Sequence, residues 1–187
     1  LWHGLFDALR DGAALAGTRG ELVCARSWSL EGLPMSDDRD VRRPQAGDRR
    51  LSAVIADTVL ITLYRRTVRG TNPALELAEF LHTANFTHTP PLLGTFTYRS
   101  NDGAEIGVGL ARRYILAQGN AWDILRVMFT RLLERRHEPA ADGTQAAMPL
   151  EDREPGERIV ALAGTRLAEM HAAFAQGGDG GAGGADQ

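Results

Sequence analysis

The basic side chains restrict the chemistry that this sequence can perform, because all 21 of them are arginines and lysine is absent. A Walker-type phosphate loop, the strand lysine of a protein kinase and Schiff-base catalysis all require a lysine amine. Arginine cannot replace lysine as a base, since it stays protonated in proteins. These mechanisms are therefore excluded in their usual form, while a compositional preference for arginine explains the overall absence equally well.

Metal and nucleophile chemistry is not indicated by the spacing of the candidate residues. No two of the five histidines lie three or four positions apart, and the single cysteine, Cys24, has no histidine near it. The spacings of a zinc site are therefore missing. A Gly-x-Ser-x-Gly nucleophile elbow is also missing. We predict that this chain has no metal site and contributes no catalytic residue.

Two charged clusters allow either phosphate binding or simple solvation. Arg65, Arg66 and Arg69 follow Tyr64, and they could hold a phosphate or an RNA backbone or form a charged strand end. Glutamates at positions 76 and 79 have the spacing of a solvated helix face. The net charge of −3 provides no general attraction for nucleic acid or anionic membranes. We therefore favour solvation for both clusters and predict no nucleic-acid partner.

The composition is that of a globular protein without a membrane span. The length of 187 residues and the hydrophobic fraction of 43% fit one domain, or one domain with a small appendage. No apolar run approaches the roughly 20 residues that a membrane helix needs, and a lone cysteine fits a reducing compartment. We expect a cytoplasmic protein. The start at Leu1 rather than methionine suggests a fragment or a processed chain.

The elements that would position these residues alternate between helix and strand periodicity. The first half of the sequence predicts a helix at Trp2–Leu15 and a strand at Glu21–Trp28. A charged mobile loop at Ser36–Arg50 and a hairpin at Ser52–Arg66 follow. Proline after Thr71-Asn72 opens a helix, whose predicted buried face is Leu77, Ala78, Leu81 and Ala84.

The second half predicts a hairpin and then helices. Its strands are Leu92–Tyr98 and Glu105–Ile115 around an Asn-Asp-Gly turn, and its helices are Ala121–Arg135 and Ile159–Ala175, with a polar linker at 137–154. The glycine-rich end is predicted to be disordered. The fold class is therefore α+β, with a small, mostly antiparallel sheet.

Several pieces of the sequence resemble the bacterial maltokinase family. The strand Asp57–Arg66 looks like the family strand that ends in Lys-Leu-Phe-Arg-Arg, and Asn72-Pro73-Ala74-Leu75-Glu76 looks like its Asn-Pro-Asp-x-Glu helix start. Gln118–Trp122 looks like the end of the inter-lobe linker. Weaker matches are Gly20–Val23 and Arg166–His171. The order and spacing of all five agree, and they cover most of residues 1–175.

This resemblance implies a protein-kinase-like N-lobe preceded by a cap. The implied domains are a cap at 1–50, the N-lobe at 51–120, linker helices at 121–175 and a disordered tail at 176–187. It also implies an ATP site, with Mg²⁺ in the parent family, at Thr62, Glu76, Arg113 and Ile115. The lysine that binds the nucleotide phosphates corresponds to Thr62, the helix glutamate to Glu76, and the linker backbone at Arg113 and Ile115 would meet the adenine edge.

The sequence departs from the family at two places. Thr62 carries no charge, and the His-Gly-Asp-x-His and Asp-Phe-Glu motifs of the catalytic C-lobe are absent. The parent reaction transfers phosphate from ATP to maltose and gives maltose 1-phosphate for α-glucan synthesis. We expect this chain alone to be inactive, with maltose bound only in the presence of a C-lobe. The alternatives are a pseudokinase segment that docks on a trehalose synthase or α-amylase-type partner, and a truncated module that still binds nucleotide.

Overall fold

The computed structural model describes residues 1–34, 39–44, 50–67, 69–70, 72–117, 119–137 and 150–178. The chain divides into two compact units, Leu1–Leu116 and Ala117–Gln187. The first unit holds all the strands of the described chain, and the second holds two helices. The predicted glycine-rich tail lies mostly outside the described residues, and the predicted linker at 137–154 lies partly outside them.

The first unit is built on one antiparallel sheet of seven strands. Its helices are α1 (Trp2–Asp11) and α2 (Pro73–Thr83), with a 3-10 turn at Trp28–Leu30. Its strands are β1 (Ala14–Gly17), β2 (Gly20–Arg26), β3 (Val41–Arg42), β4 (Arg50–Ile55), β5 (Val59–Tyr64), β6 (Leu92–Ser100) and β7 (Glu105–Arg113). The strand order is β1-β2-β6-β7-β5-β4-β3, and every pair is antiparallel. The predicted α+β class with an antiparallel sheet is confirmed.

Local sequence explains how α2 and the central hairpin form. Asn72 caps α2 by accepting a hydrogen bond from the Ala74 amide at 3.0 Å, and proline takes the first helical position, where no amide is needed. The β4–β5 turn uses two non-glycine residues in the left-handed region, Ala56 at φ 50° and Asp57 at φ 48°. This geometry matches the twist of the flanking strands.

The two faces of the sheet have different partners. We call the first the α1 face: there Phe6 and Leu9 pack on Ile55, Ile61 and other buried strand residues. We call the other the α2 face, where Leu75 and Ala78 of the helix pack with Leu92 and Leu110 of the sheet. The α1 face carries the larger core, and burial of its apolar side chains is the main stabilising contribution.

The second unit consists of α3 (Ala121–His137) and α4 (Leu150–Gly178). The two helices contact each other where Met128 lies against Gly156, at a position where a side chain on Gly156 would collide with the thioether. Several large apolar side chains of α3 are nevertheless exposed, including Trp122 at 72% and Phe129 at 53%. Among the described residues, no helix is long and apolar enough to cross a membrane.

Four element predictions need correction. The first helix ends at Asp11 because Gly12 adopts a left-handed conformation, and residues 14–17 form β1 instead. The predicted loop at 36–50 contains β3, which pairs with β4. The final helix is longer than predicted and runs through Pro155. The buried face of α2 includes Leu75, whereas Leu77 is 41% exposed.

Candidate functional site

The centre of the α2 face carries a row of hydroxyl groups. Ser52 of β4 opposes Thr62 of β5 on the adjacent strand, and Leu110 of β7 separates Thr62 from Thr95 of β6 in the same row. Directly opposed residues in antiparallel strands share a face. The Thr62 side chain is 8% exposed, and its hydroxyl lies 3.2 Å from that of Ser52. The row is therefore polar but uncharged.

Two arginines lie beside this row on the same face. Arg50 opposes Tyr64 on the neighbouring strand, and Arg112 opposes Leu60, two residues before Thr62. Burial raises the pKa of the Tyr64 phenol, while the nearby charges of Arg112 and Arg50 partly oppose that rise. Positive charge is therefore present on the α2 face, although the residue in the lysine position is neutral.

The linker leaves the sheet at the end of β7. The Arg113 amide donates to the Pro91 carbonyl at 2.9 Å, and the Tyr114 amide donates to the Thr58 carbonyl at 2.6 Å. Ile115 is 57% exposed, and within the described ranges its amide has no backbone partner. Of the two predicted linker positions, Arg113 thus has its amide engaged in the fold, whereas the Ile115 amide has no backbone partner among the described residues.

Arg42 of β3 holds the start of this linker. Its guanidinium forms an ion pair with Asp57 and lies 5.3 Å from the centre of the Tyr114 ring. Both contacts raise the pKa of Arg42 and keep it charged. The sequence had placed Arg42 in a mobile loop, because neighbouring charges nearly cancel there and no local pattern indicates this tertiary contact.

Glu76 lies in a separate groove of about 640 Å³ at the start of α2. The groove is also lined by Asn72, Glu79, Glu105 and Gly107. The side-chain amide of Asn72 donates from Nδ2 to the Gly107 carbonyl at 3.3 Å and so fixes the helix start to β7. Thr62 is not part of this lining, so the structure does not bring the two matched positions together in one groove.

The donors for a metal ion are not assembled in the described part of the chain. No group of three or more His, Cys, Asp or Glu side chains there could hold one. The acids of the groove are also partly neutralised, since Glu105 pairs with Arg99 at 3.1 Å. The described residues therefore do not fit a Mg²⁺ site of their own, and no phosphate-transfer step can be derived from them.

Comparison with known proteins finds a likeness among solved structures only. No protein-family model matches this chain, and no curated protein matches it. The chain is similar to a solved structure described as "Glucosamine kinase (crystal form B)", with 18% sequence identity and a TM-score of 0.47. The match covers 94% of this chain and 50% of that chain, so this chain spans about half the length of that kinase. Membership of the maltokinases in particular stays a prediction.

Proposed function

We propose that residues 50–116 are the nucleotide-binding lobe of a sugar-kinase-like phosphotransferase, and that this chain alone does not transfer phosphate. The observation that supports it is the arrangement of the α2 face. A hydroxyl row with two adjacent arginines lies on the face that α2 covers in part, and the linker leaves that sheet with the Ile115 amide open. Exposed backbone amides and arginines are groups that bind bases and phosphates.

The charge arrangement sets the expected role of each residue. Arg50, rather than Thr62, would contact nucleotide phosphate, because a threonine is neutral and too short. Arginine binds phosphate oxygens through two parallel hydrogen bonds. Ile115 would contact the base through its backbone. Glu76 lies in another groove and would not pair with the phosphate-binding cation.

Thermal unfolding with and without ATP and Mg²⁺ tests the nucleotide site. A ligand at 100 times its dissociation constant adds about 2.7 kcal/mol of stability, so millimolar ATP should raise the midpoint if the constant is in the micromolar range. Arg50→Gln should reduce this rise. Arg66→Gln, at an exposed residue two positions beyond β5, is the matched control and should leave the rise unchanged. No stabilisation at 5 mM ATP would contradict the proposal.

A phosphate-transfer assay tests the second half of the proposal. The chain is incubated with ATP and Mg²⁺ and with either maltose or glucosamine, and sugar phosphate is measured. Maltose is the substrate of the family that the sequence resembles, and glucosamine is named by the structural neighbour. We expect no turnover with either sugar, because the chain lacks the C-lobe motifs. Turnover with either sugar would show that the chain is a complete catalyst.

A second proposal is a non-catalytic segment that docks on a trehalose synthase or α-amylase-type partner. It is supported by the exposed apolar side chains of α3, since such patches commonly mark protein contacts. Sedimentation of the purified chain with trehalose synthase tests it. Trp122→Glu with Phe129→Glu should abolish a complex, whereas Thr130→Glu, at an exposed polar position of the same helix, should not. A complex unaffected by the double variant would contradict this surface.

A further inference from the structure

A second cavity of the first unit is separate from the Glu76 groove. It lies between the last turn of α2, the loop that leads to β6 and the 3-10 turn, and its volume is about 240 Å³. Leu81, Phe86, Pro90 and Leu92 make its walls mainly apolar. Drug-sized ligands occupy pockets from about 300 Å³ upward, so this cavity suits a molecule of one or two rings. We call it the Trp28 cavity.

Hydrogen bonds hold both walls of the Trp28 cavity in place. On one side, the Ser27 amide donates to the Leu93 carbonyl at 2.9 Å and the Ser27 hydroxyl donates to the Leu92 carbonyl. On the other side, the Phe86 amide donates to the Leu81 carbonyl at 2.9 Å. These bonds order the two walls before any ligand arrives, so a ligand bears no entropic cost for ordering them and displaces only the exposed Trp28 ring.

The Trp28 cavity contains a stacked aromatic pair. The Trp28 and His82 rings lie 4.7 Å apart with an angle of 24° between their planes. Trp28 remains 64% exposed, although burial of a tryptophan is normally among the most favourable in a protein. An indole held by stacking on one face and open on the rest provides a surface for a planar ring.

The polar groups of the Trp28 cavity indicate what such a ring would carry. His82 Nε2 is buried and has no hydrogen-bond partner among the described residues, whereas most buried side-chain polar atoms in proteins have one. Arg112 also lines the cavity. In the described part of the chain, no carboxylate forms an ion pair with Arg112. In the tautomer that carries the proton on Nε2, His82 supplies one donor. One donor and one cation beside an apolar ring site match an anion attached to a ring.

We propose that the Trp28 cavity binds a small aromatic carboxylate. The ring lies against Trp28 and the apolar walls, and the carboxylate oxygens accept hydrogen bonds from Arg112 and from His82 Nε2. To let the ligand reach His82, the Trp28 ring slides across the ligand ring. The exposure of Trp28 permits this movement. A saturated carboxylate lacks the stacking surface, and an uncharged aromatic lacks the partner for Arg112. Arg112 also lies beside the hydroxyl row of the α2 face. The phosphate contact proposed there is Arg50, so ligand binding in the Trp28 cavity does not require nucleotide binding.

Titration of the full chain with three probes tests this specificity. The probes are indole-3-carboxylate, indole-3-carboxamide and cyclohexanecarboxylate, and the readout is the indole N–H signals of the three tryptophans in proton–nitrogen correlation spectra. Indole-3-carboxylate should shift the Trp28 signal saturably. It should bind about tenfold more tightly than the carboxamide, because a charged pair is lost there. The Trp2 and Trp122 signals should not move.

Three variants assign the contacts, and the dispersion of the spectra shows that each is folded. Arg112→Gln should weaken the binding of indole-3-carboxylate about tenfold and leave the affinity for the carboxamide unchanged. Trp28→Leu should weaken the binding of both aromatic probes about three- to tenfold. Because this variant lacks the Trp28 indole signal, its affinity is measured from the backbone amide signals of Ser29 and His82 in the same spectra. His82→Phe, which keeps the stacking but not the nitrogen, should weaken the carboxylate about threefold. The matched controls Trp122→Leu and Arg66→Gln should stay within twofold of the parent chain.

Three results would each overturn the proposal. The first is the absence of a saturable Trp28 shift with indole-3-carboxylate up to 5 mM. The second is equal binding of cyclohexanecarboxylate, which would show that the aromatic ring plays no part. The third is an unchanged affinity in Arg112→Gln, which would show that the cation plays no part. A failure of ATP to stabilise the chain would leave these outcomes unaffected, so the two proposals fail separately.

Discussion

Replacement of Gly109 by alanine tests the strand contact on which the candidate site depends. Gly109 lies in β7 opposite Leu63 of β5 and Phe96 of β6. A Cβ atom at this position would lie 2.4 Å from the Thr62 carbonyl oxygen and 2.7 Å from Leu63 Cδ2, whereas ordinary contacts begin at 3.4 Å. The carbonyl belongs to the backbone, so it cannot rotate away. Strand β5, which carries Thr62, and strand β7, which leads into the linker, would have to separate by about 1 Å.

The expected loss of stability is at the upper end of the range that overpacking substitutions cause. Added methyl groups in packed interiors cost about 1–3 kcal/mol, and we expect about 3 kcal/mol here because the clash is with backbone. Unfolding entropy is about 2.1 cal/mol/K per residue, which for the unit Leu1–Leu116 gives about 0.24 kcal/mol/K. Gly109→Ala should therefore lower the unfolding midpoint by about 12 °C.

A single-tryptophan background gives an assay for the first unit alone. With Trp28→Leu and Trp122→Leu in place, the remaining Trp2 is 9% exposed and packs in the core of the α1 face. Its fluorescence during thermal and urea unfolding then reports the stability of that unit. A Gly109→Ala midpoint within 2 °C of the parent would refute the close approach of β5 and β7 described above.

Two further glycines give a graded comparison. At Gly107 a Cβ atom would meet only side chains, Asn72 at 2.9 Å and Leu75 at 3.0 Å, so alanine there should cost about 1 kcal/mol. At Gly4, inside α1, nothing lies within 4 Å, and alanine should stabilise the helix by about 0.8 kcal/mol. From the most to the least stable, the proteins should be Gly4→Ala, the parent, Gly107→Ala and Gly109→Ala. Any other order would contradict the packing as described.

Three other substitutions have expected results of their own. His82→Phe keeps the stacking on Trp28 and removes a buried nitrogen without a partner among the described residues, so the free energy of unfolding should rise by about 1 kcal/mol; a fall would show that a bound water satisfies this nitrogen. Burial raises the pKa of Cys24 above 9.0 and that of Tyr64 above 10.0. The contribution of these two groups to stability is therefore complete below pH 9 and is lost as pH rises through their folded-state pKa values. The free energy of unfolding should fall by up to about 1.4 kcal/mol per pH unit for each group. Urea unfolding from pH 7 to 11 should show this loss, with a shallower slope for Cys24→Ala, and equal slopes would exclude the thiol as a cause. Ala56→Asn should stabilise the β4–β5 turn by about 0.5 kcal/mol, because asparagine tolerates the left-handed conformation at φ 50°, and an unchanged urea midpoint would count against that turn geometry.

Local signals in the sequence were sufficient for most of the elements. The Asn72-Pro73 helix start, the turn at 101–103 and the β-branched runs of β4 and β5 are each determined by residues within a few positions of one another. For the same reason the α+β class and the two hairpins, β4–β5 and β6–β7, could be predicted. The extra strand β1 could not, since it depends on pairing with β2 rather than on its own four residues, all of which are exposed.

The candidate site was predictable only in part. The resemblance directed attention to Thr62, Glu76, Arg113 and Ile115, but the sequence holds no information on which of them share a groove. Arg50 was assigned to the charged loop at 36–50, whereas it begins β4. Arg112 gave no signal, because an arginine in a strand is ordinary until its neighbours across the sheet are known. Arg42 was likewise assigned to a loop, and only its contacts with Asp57 and Tyr114 show that it positions the linker.

By itself the sequence determined the absence of lysine, the neutral residue at position 62 and most of the segments that form helix and strand, because these depend on residue identity and short-range spacing. Only the tertiary structure decided where positive charge lies on the α2 face and that Trp28 stacks on His82 from 54 positions away. Both follow from the order in which strands pair and helices pack. That order minimises exposed apolar surface over the whole unit, and no single stretch of the chain specifies it.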